Sequence, residues 1–188
     1  MSILDIRVLG DPILRQATTP VVRITDDLRR LVADMFDTMH HARGIGLAAP
    51  QVGRSERLAI VQVDDQRLVL INPEVIERDG KAKGEEGCLS IPDIYADVER
   101  PKTVTVRALD EHFAPYKVEA SDLLARCIQH EIDHLDGKLF LDYLSVLKRT
   151  AALAKWKLEQ GKYPGYVRRV SLETPEELSE HEHPDEEL

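Results

Sequence analysis

The apolar residues recur at helical spacing in three parts of the chain. Between residues 25 and 41 they return every three or four positions, which predicts an amphipathic helix. A second helix is predicted from 121 to about 136, where Ser121 is a suitable N-cap residue and Gly137 can end the helix. A third is predicted from 145 to 162. The chain is therefore expected to have an N-terminal, a central and a C-terminal helix.

Between the first two helices the apolar residues form short runs or alternate with polar ones. This pattern predicts strands at 57–63, 67–73, 102–110 and 115–120. The strands cluster in the middle of the chain and do not alternate with helices, as a parallel βαβ fold would require. We therefore expect an α+β fold, in which mainly antiparallel short sheets pack around the central helix.

The composition changes at about residue 170. Residues 171–188 contain eight acidic residues and no Lys or Arg, so they account for most of the net charge of −9. We expect residues 1–170 to form a single domain, because a chain of that length can bury a substantial core. The segment 171–188 is charged and has no aromatic residue. We expect it to be an acidic, disordered tail.

The sequence argues against several classes of protein. The N-terminal residues do not have the pattern of a signal peptide, and no apolar run approaches the roughly 18 residues that span a bilayer. We therefore expect a cytoplasmic protein without a membrane partner. Two cysteines, Cys88 and Cys127, cannot form a disulfide framework. The body is nearly neutral and has no basic patch, so DNA binding is not expected.

The central helix carries the pattern H-E-x-x-H in the stretch IQHEIDHLDG. His130 and His134 lie one turn apart on one helical face and can bind one metal ion. Glu131 lies beside them, where it can reach a water molecule on that ion. Apolar neighbours make burial of these groups costly without a partner, which favours a metal site over a solvated helix face. Asp133 points away from this face and could pair with Arg100.

A catalytic site of this kind needs a third protein ligand. Metzincin peptidases have a histidine at the position where this chain has Phe140. Glu159 is a ligand of the type used by other metallopeptidases, but it lies in a charged stretch. Cys127 is on the same helical stripe as the two histidines and cannot converge with both on one ion. Cys88, which follows Gly87, remains as either a ligand or a buried core thiol.

A glycine-rich stretch, GIGLAAPQVG, occupies residues 44–53. It formally matches a dinucleotide-binding pattern. However, a helix precedes it, and Pro50 prevents a helix from following at once, whereas that pattern requires a strand before and a helix after. Glycines here would instead allow the backbone to approach a ligand closely. Gln51 could then project its side-chain amide into a site.

Three stretches together closely resemble the peptide deformylase family: GIGLAAPQ, EGCLS and QHEIDH, in that order and with similar separations. The general similarity runs from about residue 2 to residue 160 and leaves out the acidic tail. The resemblance implies that residues 1–170 form a catalytic metallohydrolase domain. It implies hydrolytic removal of the N-formyl group from the initiator methionine of newly made polypeptides, with formate as the other product.

The resemblance also implies the residues of the metal site. Cys88, His130 and His134 would hold the ion, and Glu131 would act as general acid and base. Fe²⁺ is the implied cofactor, and other divalent ions such as Zn²⁺ or Ni²⁺ can substitute. A thiolate ligand is compatible with Fe²⁺ or Zn²⁺ and disfavours Mg²⁺ and Ca²⁺.

By the same resemblance, the side-chain amide of Gln51 and the backbone N–H of Leu89 would stabilise the oxyanion, and Gly46 belongs to this catalytic group. The substrate would be an N-formyl-Met chain emerging from the ribosome. It would add as a strand between Ile45–Gly46 and Glu85–Gly87. The methionine side chain needs an apolar pocket, and Ile45, Leu123, Cys127 and the stem of Arg126 are candidates for it, because 123, 126 and 127 share a helical face with His130.

Two alternatives compete with this interpretation. One is an H-E-x-x-H metallopeptidase with a glutamate as third ligand, and the lack of a secretion signal argues against it. The other is a non-catalytic module that a metal ion stabilises. The presence of both Glu131 and Gln51 argues against that module, since a structural site needs neither residue.

Overall fold

A computed structural model describes residues 2–170 of the chain, and the predicted acidic tail at 171–188 lies outside these residues. The helices of the described part are α1 (Asp26–His41), α2 (Asp122–Leu135) and α3 (Val146–Glu159). The strands are β1 (Ile6–Arg7), β2 (Gly46–Ala48), β3 (Leu58–Val63), β4 (Gln66–Asp79), β5 (Ala82–Cys88), β6 (Ile91–Arg100), β7 (Thr103–Leu109), β8 (Pro115–Ser121) and β9 (Val167–Arg168).

These strands form three antiparallel sheets. The largest has five strands in the order β2-β3-β4-β7-β8. Strands β5 and β6 form a separate hairpin, and β9 pairs with β1, which brings the end of the described chain back to its beginning. The prediction of an α+β fold with mainly antiparallel sheets is confirmed.

The central helix packs against the five-stranded sheet because β3 is apolar on both faces. Successive side chains of a strand point to opposite sides. Ala59 and Val61 pack in one cluster with residues of α2, whereas Leu58 and Ile60 pack in another with residues of α1. The sheet therefore lies between α1 and α2, and it presses one face of α2 into the core.

The helix boundaries follow the sequence closely, with one exception. Thr25 caps α1 by accepting a hydrogen bond from a backbone N–H of the first turn. Gly137 follows α2 with φ at 71°, a conformation that glycine adopts without strain. The exception is the capping of α2 by Ser121. Ser121 occupies the N-cap position, but its side chain accepts no capping bond, and the N–H of Asp122 donates to the carbonyl of Lys102 at 3.0 Å.

The strands differ more from the prediction. Strand β4 continues six residues beyond 73, with irregular pairing to β7 between Ile71 and Glu74, where Pro73 cannot donate a ladder hydrogen bond. The hairpin of β5 and β6 was not predicted. Strand β5 is mostly polar and contains two glycines, so it has no apolar alternation to indicate a strand. The apolar side of β6 is covered by a cluster that includes Trp156 of α3.

Candidate metal centre

Helix α2 and the end of strand β5 bring three ligand-type side chains together. Cys88, His130 and His134 each offer one ligand atom, and these atoms all lie within 4.8 Å of one another. The Sγ atom of Cys88 lies 3.3 Å from Nε2 of His134. The two histidines are on one face of α2 because they are four residues apart. Cys88 lies at the end of β5, and hydrogen bonds from Arg126 and His130 to Glu86 hold this strand against the helix.

Glu86 of β5 connects the β5–β6 hairpin to helix α2 through hydrogen bonds. Its buried carboxylate accepts hydrogen bonds from Arg100, from Arg126 at 2.7 Å and from Nδ1 of His130 at 3.0 Å. Burial alone would raise the pKa of Glu86, but the bonds from Arg100 and His130 outweigh it and lower the pKa to about 2. The bond at Nδ1 directs the other ring nitrogen of His130 toward Cys88, as carboxylates commonly do for metal-binding histidines.

Arg100 extends this buried network to the far side of α2. It donates to the carboxylate of Asp133 at 2.8 Å, which confirms the ion pair expected from the sequence. The hydroxyl of Tyr143 donates to the other oxygen of Asp133 at 2.9 Å. Arg100 and Glu86 are almost fully buried, so removal of either would leave an unpaired charge in the core.

Glu131 is buried beside the three ligand-type atoms. Burial raises its pKa to about 7, and its Oε2 atom has no hydrogen-bond partner among the described residues. Gly46 makes this position possible, because a Cβ atom there would overlap the Glu131 carboxylate and lie 2.8 Å from Sγ of Cys127. The glycine of β2 is thus required for space, not for an unusual backbone angle.

Gln51 lies at the same point, in a short 3₁₀ turn after β2. Its Oε1 atom accepts a hydrogen bond from the N–H of Ala48 at 2.8 Å, which fixes the amide orientation. Its Nε2 atom donates to Oγ of Ser90 at 3.1 Å and lies 3.6 Å from Sγ of Cys88. The amide donor predicted from the sequence therefore points at the cysteine of the site.

A cavity of about 620 Å³ opens onto these groups. The predicted site residues that line it are Ile45, Gly46, Gln51, Glu85, Gly87, Cys88, Leu89, Leu123, Arg126, Cys127, His130 and Glu131. His134 lies behind this surface, 1% exposed. Ile45 and Leu123 remain 43% and 53% exposed, so an apolar ligand side chain can contact both.

Two predicted residues have surroundings that the sequence did not reveal. The guanidinium of Arg126 is neither free nor solvent-facing, since it binds Glu86 and the carbonyls of Gly84, Val98 and Ala82. Burial raises the pKa of Cys127, so its thiol stays neutral, and Sγ lies 3.4 Å from the carbonyl of Ile45.

The alternative third ligand does not reach the site. Glu159 is on α3, where it pairs with Lys162, and it does not line the cavity. Phe140 stacks on the ring of His130 at a centroid distance of 6.3 Å and packs in the core. The metallopeptidase alternative therefore has no support in the geometry.

The sequence analysis missed Glu86, Ser90, Tyr163 and Arg168. The sequence did contain a signal for Glu86. It lies two residues before Cys88, and residues two apart on a strand point to the same face. Ser90 had none. Tyr163 and Arg168 line the cavity from beyond α3. Tyr163 stacks on Trp156, and the pairing of β9 with β1 holds Arg168, and no local sequence pattern indicates either contact.

The arrangement fits a bound divalent ion. One thiol and two imidazoles form the mixed sulfur and nitrogen donor set that Zn²⁺ and Fe²⁺ accept. The buried, unpartnered Oε2 of Glu131 is the type of group that binds a metal-bound water molecule. The four side chains are too close and too buried to be a solvated surface cluster.

Comparisons with known proteins agree with this geometry. A family model described as polypeptide deformylase matches residues 3–150. A peptide deformylase of Alkalilimnicola ehrlichii is 56% identical over 153 residues, which is 79% of this chain and 86% of that protein. One from Hydrogenovibrio crunogenus is 52% identical over 162 residues, 85% of this chain and 96% of that protein.

Solved structures show the same fold. A peptide deformylase from Legionella pneumophila has a TM-score of 0.81 at 46% identity, and the match covers 87% of this chain and all of that one. A peptide deformylase from Synechococcus elongatus, solved in complex with actinonin, has a TM-score of 0.79 at 45% identity, covering 89% and 92%. Among residues 2–170, no helix has the length and apolar character needed to cross a membrane.

The fold and the Cys/His site define a metal-dependent hydrolase. This class includes enzymes that cleave amide bonds with an activated water molecule. The chain belongs to the polypeptide deformylase family. Its reaction is removal of the N-formyl group from newly made polypeptides. The prediction of function is thereby confirmed, and the metallopeptidase and non-catalytic alternatives are wrong.

Proposed function

We propose that Cys88, His130 and His134 hold a catalytic Fe²⁺ ion, and that the enzyme uses it to deformylate N-formyl-Met chains as they leave the ribosome in the cytoplasm. The observation that carries the ligand set is the convergence of three ligand atoms within 4.8 Å beside a buried carboxylate. Zn²⁺ or Ni²⁺ can substitute in this set. The preference for iron rests on the resemblance to the family, since the donor atoms suit iron and zinc alike.

A divalent ion held by Cys88, His130 and His134 would supply an acidified water molecule and would polarise the formyl carbonyl. Glu131 accepts the proton of the attacking water and returns it to the leaving amine. A carboxyl group with a pKa near 7 is suited to both transfers at neutral pH. The missing side chain of Gly46 leaves the space that the Glu131 carboxylate needs for this role.

Gln51 and Leu89 stabilise the negative charge that develops on the formyl oxygen. The bond from Ala48 holds the Gln51 amide so that its N–H groups face Cys88. The backbone N–H of Leu89, the residue directly after Cys88, is the second donor. Donors that are fixed before the reaction need no reorganisation during it, which is the main source of such stabilisation.

The substrate chain binds in an extended form between β2 and β5. In the described part of the chain, β2 pairs only with β3, and β5 pairs only with β6, so each has a free edge beside the cavity. Ile45–Gly46 and Glu85–Gly87 supply the backbone groups for such a pairing. The methionine side chain contacts Ile45, Leu123 and Cys127, while the network of Arg126 supports the floor of the pocket.

The test is a comparison of kcat/KM on matched formyl-Met and acetyl-Met peptides. An acetyl group adds a methyl between the metal, Gln51 and Leu89, where the ligand groups are close together. We expect discrimination well above the ~10–200-fold that one methylene gives in an open apolar pocket. Comparable rates on the two peptides would contradict the proposal and indicate a general amidase.

The ligand set is tested with the two cysteines as a matched pair. Cys88→Ala removes the only thiolate donor and should empty the site, whereas Cys127→Ala should retain metal. Metal content after anaerobic purification, measured by elemental analysis, gives the ranking and shows whether iron is the bound ion. The opposite ranking would mean that the third ligand is misassigned.

A further inference from the structure

Ser90 lies in the tight turn between β5 and β6, and its side chain reaches out of that turn. The residue is 0% exposed, and its Oγ atom accepts a hydrogen bond from Nε2 of Gln51 at 3.1 Å. A serine hydroxyl in a turn commonly bonds to the backbone of its own turn. The partner of Ser90 is 39 residues away along the chain, so a local role in the turn does not account for this bond.

The bond to Ser90 completes the fixation of the Gln51 amide. The amide oxygen accepts from the N–H of Ala48 at 2.8 Å, and the amide nitrogen donates to Ser90. A bond at the oxygen alone would leave the plane of the amide free to rotate about that bond, whereas the second bond fixes the plane. The nitrogen carries two hydrogen atoms. One is bound by Ser90, and the other is left for the site, where Nε2 lies 3.6 Å from Sγ of Cys88.

The backbone of Ser90 is anchored as well. Its carbonyl accepts a hydrogen bond from the N–H of Leu9 at 2.8 Å, and the carbonyl of Leu9 in turn accepts from the ring nitrogen of Trp156 in α3. Leu89 directly precedes Ser90, so its backbone N–H belongs to the same anchored turn. Through its side chain and its backbone, Ser90 thus connects the two donors that are proposed to stabilise the oxyanion.

This connection matters because no sheet holds the two donors at a fixed distance. Two donors stabilise an oxyanion only when both are at hydrogen-bond distance from one point. Gln51 follows β2 and Leu89 follows β5, and in the described part of the chain these strands belong to different sheets. The hydrogen bond between Ser90 and Gln51 is a direct link between the two segments, and it lies beside the place where the charge develops.

We propose that Ser90 is a positioning residue of the deformylation reaction. It holds the amide of Gln51 so that one amide N–H and the backbone N–H of Leu89 face the same developing oxyanion. Ser90 is not among the residues that line the cavity, so it acts through Gln51 and not by contact with the substrate. This inference rests on the oxyanion role that is proposed above for Gln51.

The main variant is Ser90→Ala, which removes the hydroxyl and nearly keeps the size of the side chain. In the Zn²⁺-loaded enzyme we expect kcat on a formyl-Met tripeptide to fall ~10–100-fold, because the Gln51 donor is retained but misplaced. KM should change less than ~threefold, because the lost interaction acts in the transition state. The matched control is Thr38→Val, which removes another 0% exposed hydroxyl, one that joins α1 to the N-terminal segment. It should leave kcat unchanged.

A double-mutant cycle separates positioning of Gln51 from support of the fold. Gln51→Ala removes the donor itself and should lower kcat ~10²–10³-fold. In the Gln51→Ala background, Ser90→Ala should have little further effect on kcat, because the group that Ser90 positions is already absent. Fully additive losses would overturn the proposal, since Ser90 would then act independently of Gln51. Normal turnover by Gln51→Ala would instead contradict the oxyanion role on which the proposal rests.

Two measurements without turnover complete the test. The side-chain NH₂ signals of Gln51 in NMR spectra of the Zn²⁺-loaded enzyme are identified by their loss in Gln51→Ala. Their hydrogen exchange with water should be faster in Ser90→Ala than in wild type and unchanged in Thr38→Val. Elemental analysis should find equal zinc in all variants. The proposal is overturned if exchange and kcat are normal in Ser90→Ala. It is also overturned if this variant loses metal or does not fold, because Ser90 would then support Cys88 or the fold.

Discussion

Helices α2 and α3 both have 14 residues, but most residues of α2 are buried, whereas most residues of α3 are exposed to solvent. In α2, eleven residues are buried, among them His130, Glu131, Asp133 and His134. In α3 only Trp156 is buried, and its ring nitrogen donates to the carbonyl of Leu9 at 3.1 Å. The charged side chains of α3 are mostly exposed, and their partners, such as Lys162 for Glu159, lie at the surface. Those of α2 are held by fixed partners, and a chemical group needs such fixation to act on a substrate.

The largest expected effect comes from the matched glutamates of the two helices. Glu131→Gln keeps the shape of the side chain but removes the proton acceptor, so kcat should fall at least ~10²–10⁴-fold while metal stays bound. Glu159→Gln on α3 should leave kcat and metal content unchanged. Assays of turnover beside elemental analysis check both variants. Metal loss in Glu131→Gln, or near-normal turnover, would show that its role is misassigned.

The next largest effect concerns the network that holds α2 against the hairpin. Arg100→Met leaves Glu86 and Asp133 as poorly compensated buried carboxylates, and should lower the free energy of unfolding by ~3–5 kcal/mol. The control is Arg107→Met, which removes an exposed pair with Glu74 and should cost below ~1 kcal/mol. Urea unfolding of the metal-free proteins measures the difference. Equal midpoints would mean that the buried network contributes no stability.

Substituting one leucine in each helix compares the stability that buried and exposed apolar side chains contribute. Leu135 of α2 is 0% exposed and Leu147 of α3 is 81% exposed. Leu135→Ala should cost ~2–5 kcal/mol because it leaves a cavity in the core, whereas Leu147→Ala should stay within ~0.5 kcal/mol. Thermal unfolding gives the ranking. A similar loss for both variants would indicate that α3 is covered in solution.

The smallest expected effect on stability comes from Asp142, in the segment between α2 and α3. Burial alone would raise the pKa of Asp142, but the hydrogen bond from Arg15 outweighs it and lowers the pKa. A lowered folded pKa gives stability that is complete above the unfolded value and is lost as pH falls through the folded one. Asp142→Asn should therefore cost below ~1 kcal/mol at neutral pH, since the pair is partly exposed.

The pH dependence distinguishes this ion pair from a packing effect. The difference between wild type and Asp142→Asn should be constant from about pH 5 to 8, and should shrink as the pH falls below the ordinary pKa of a free Asp and through the lowered pKa of the folded protein. Unfolding curves across this range measure it. A difference that persists at low pH would mean that the carboxylate charge is not what stabilises the connection.

The same two helices show what sequence can and cannot predict. The positions of His130 and His134 follow from the helical repeat alone, because residues four apart lie on one face. The contact of Cys88 with them joins residues 46 positions apart along the chain. No local pattern determines such a contact, so the residues left the third ligand open, and only the family resemblance favoured Cys88.

The strands show the same limit. Strand β3 has an apolar run that indicates a strand, but β5 is mostly polar, and Glu86, one of its buried side chains, is the centre of a charged network. The polar residues that build this network therefore leave no apolar alternation by which the strand could have been recognised. Arg168 is still harder to predict, since its position depends on the two-residue pairing of β9 with β1 across the whole domain.

The return of β9 to β1 has a practical consequence for labelling the enzyme. A purification tag or fluorophore fused directly after residue 170, in place of residues 171–188, would begin two residues after Arg168, which lines the cavity, and a bulky or charged one is expected to compete with the substrate. A label at the N-terminus would instead begin near Ser2, whose backbone N–H donates to the carboxylate of Asp34 in α1. Kinetic constants measured with a fusion at this point should therefore be compared with those of the protein after the tag has been cleaved off.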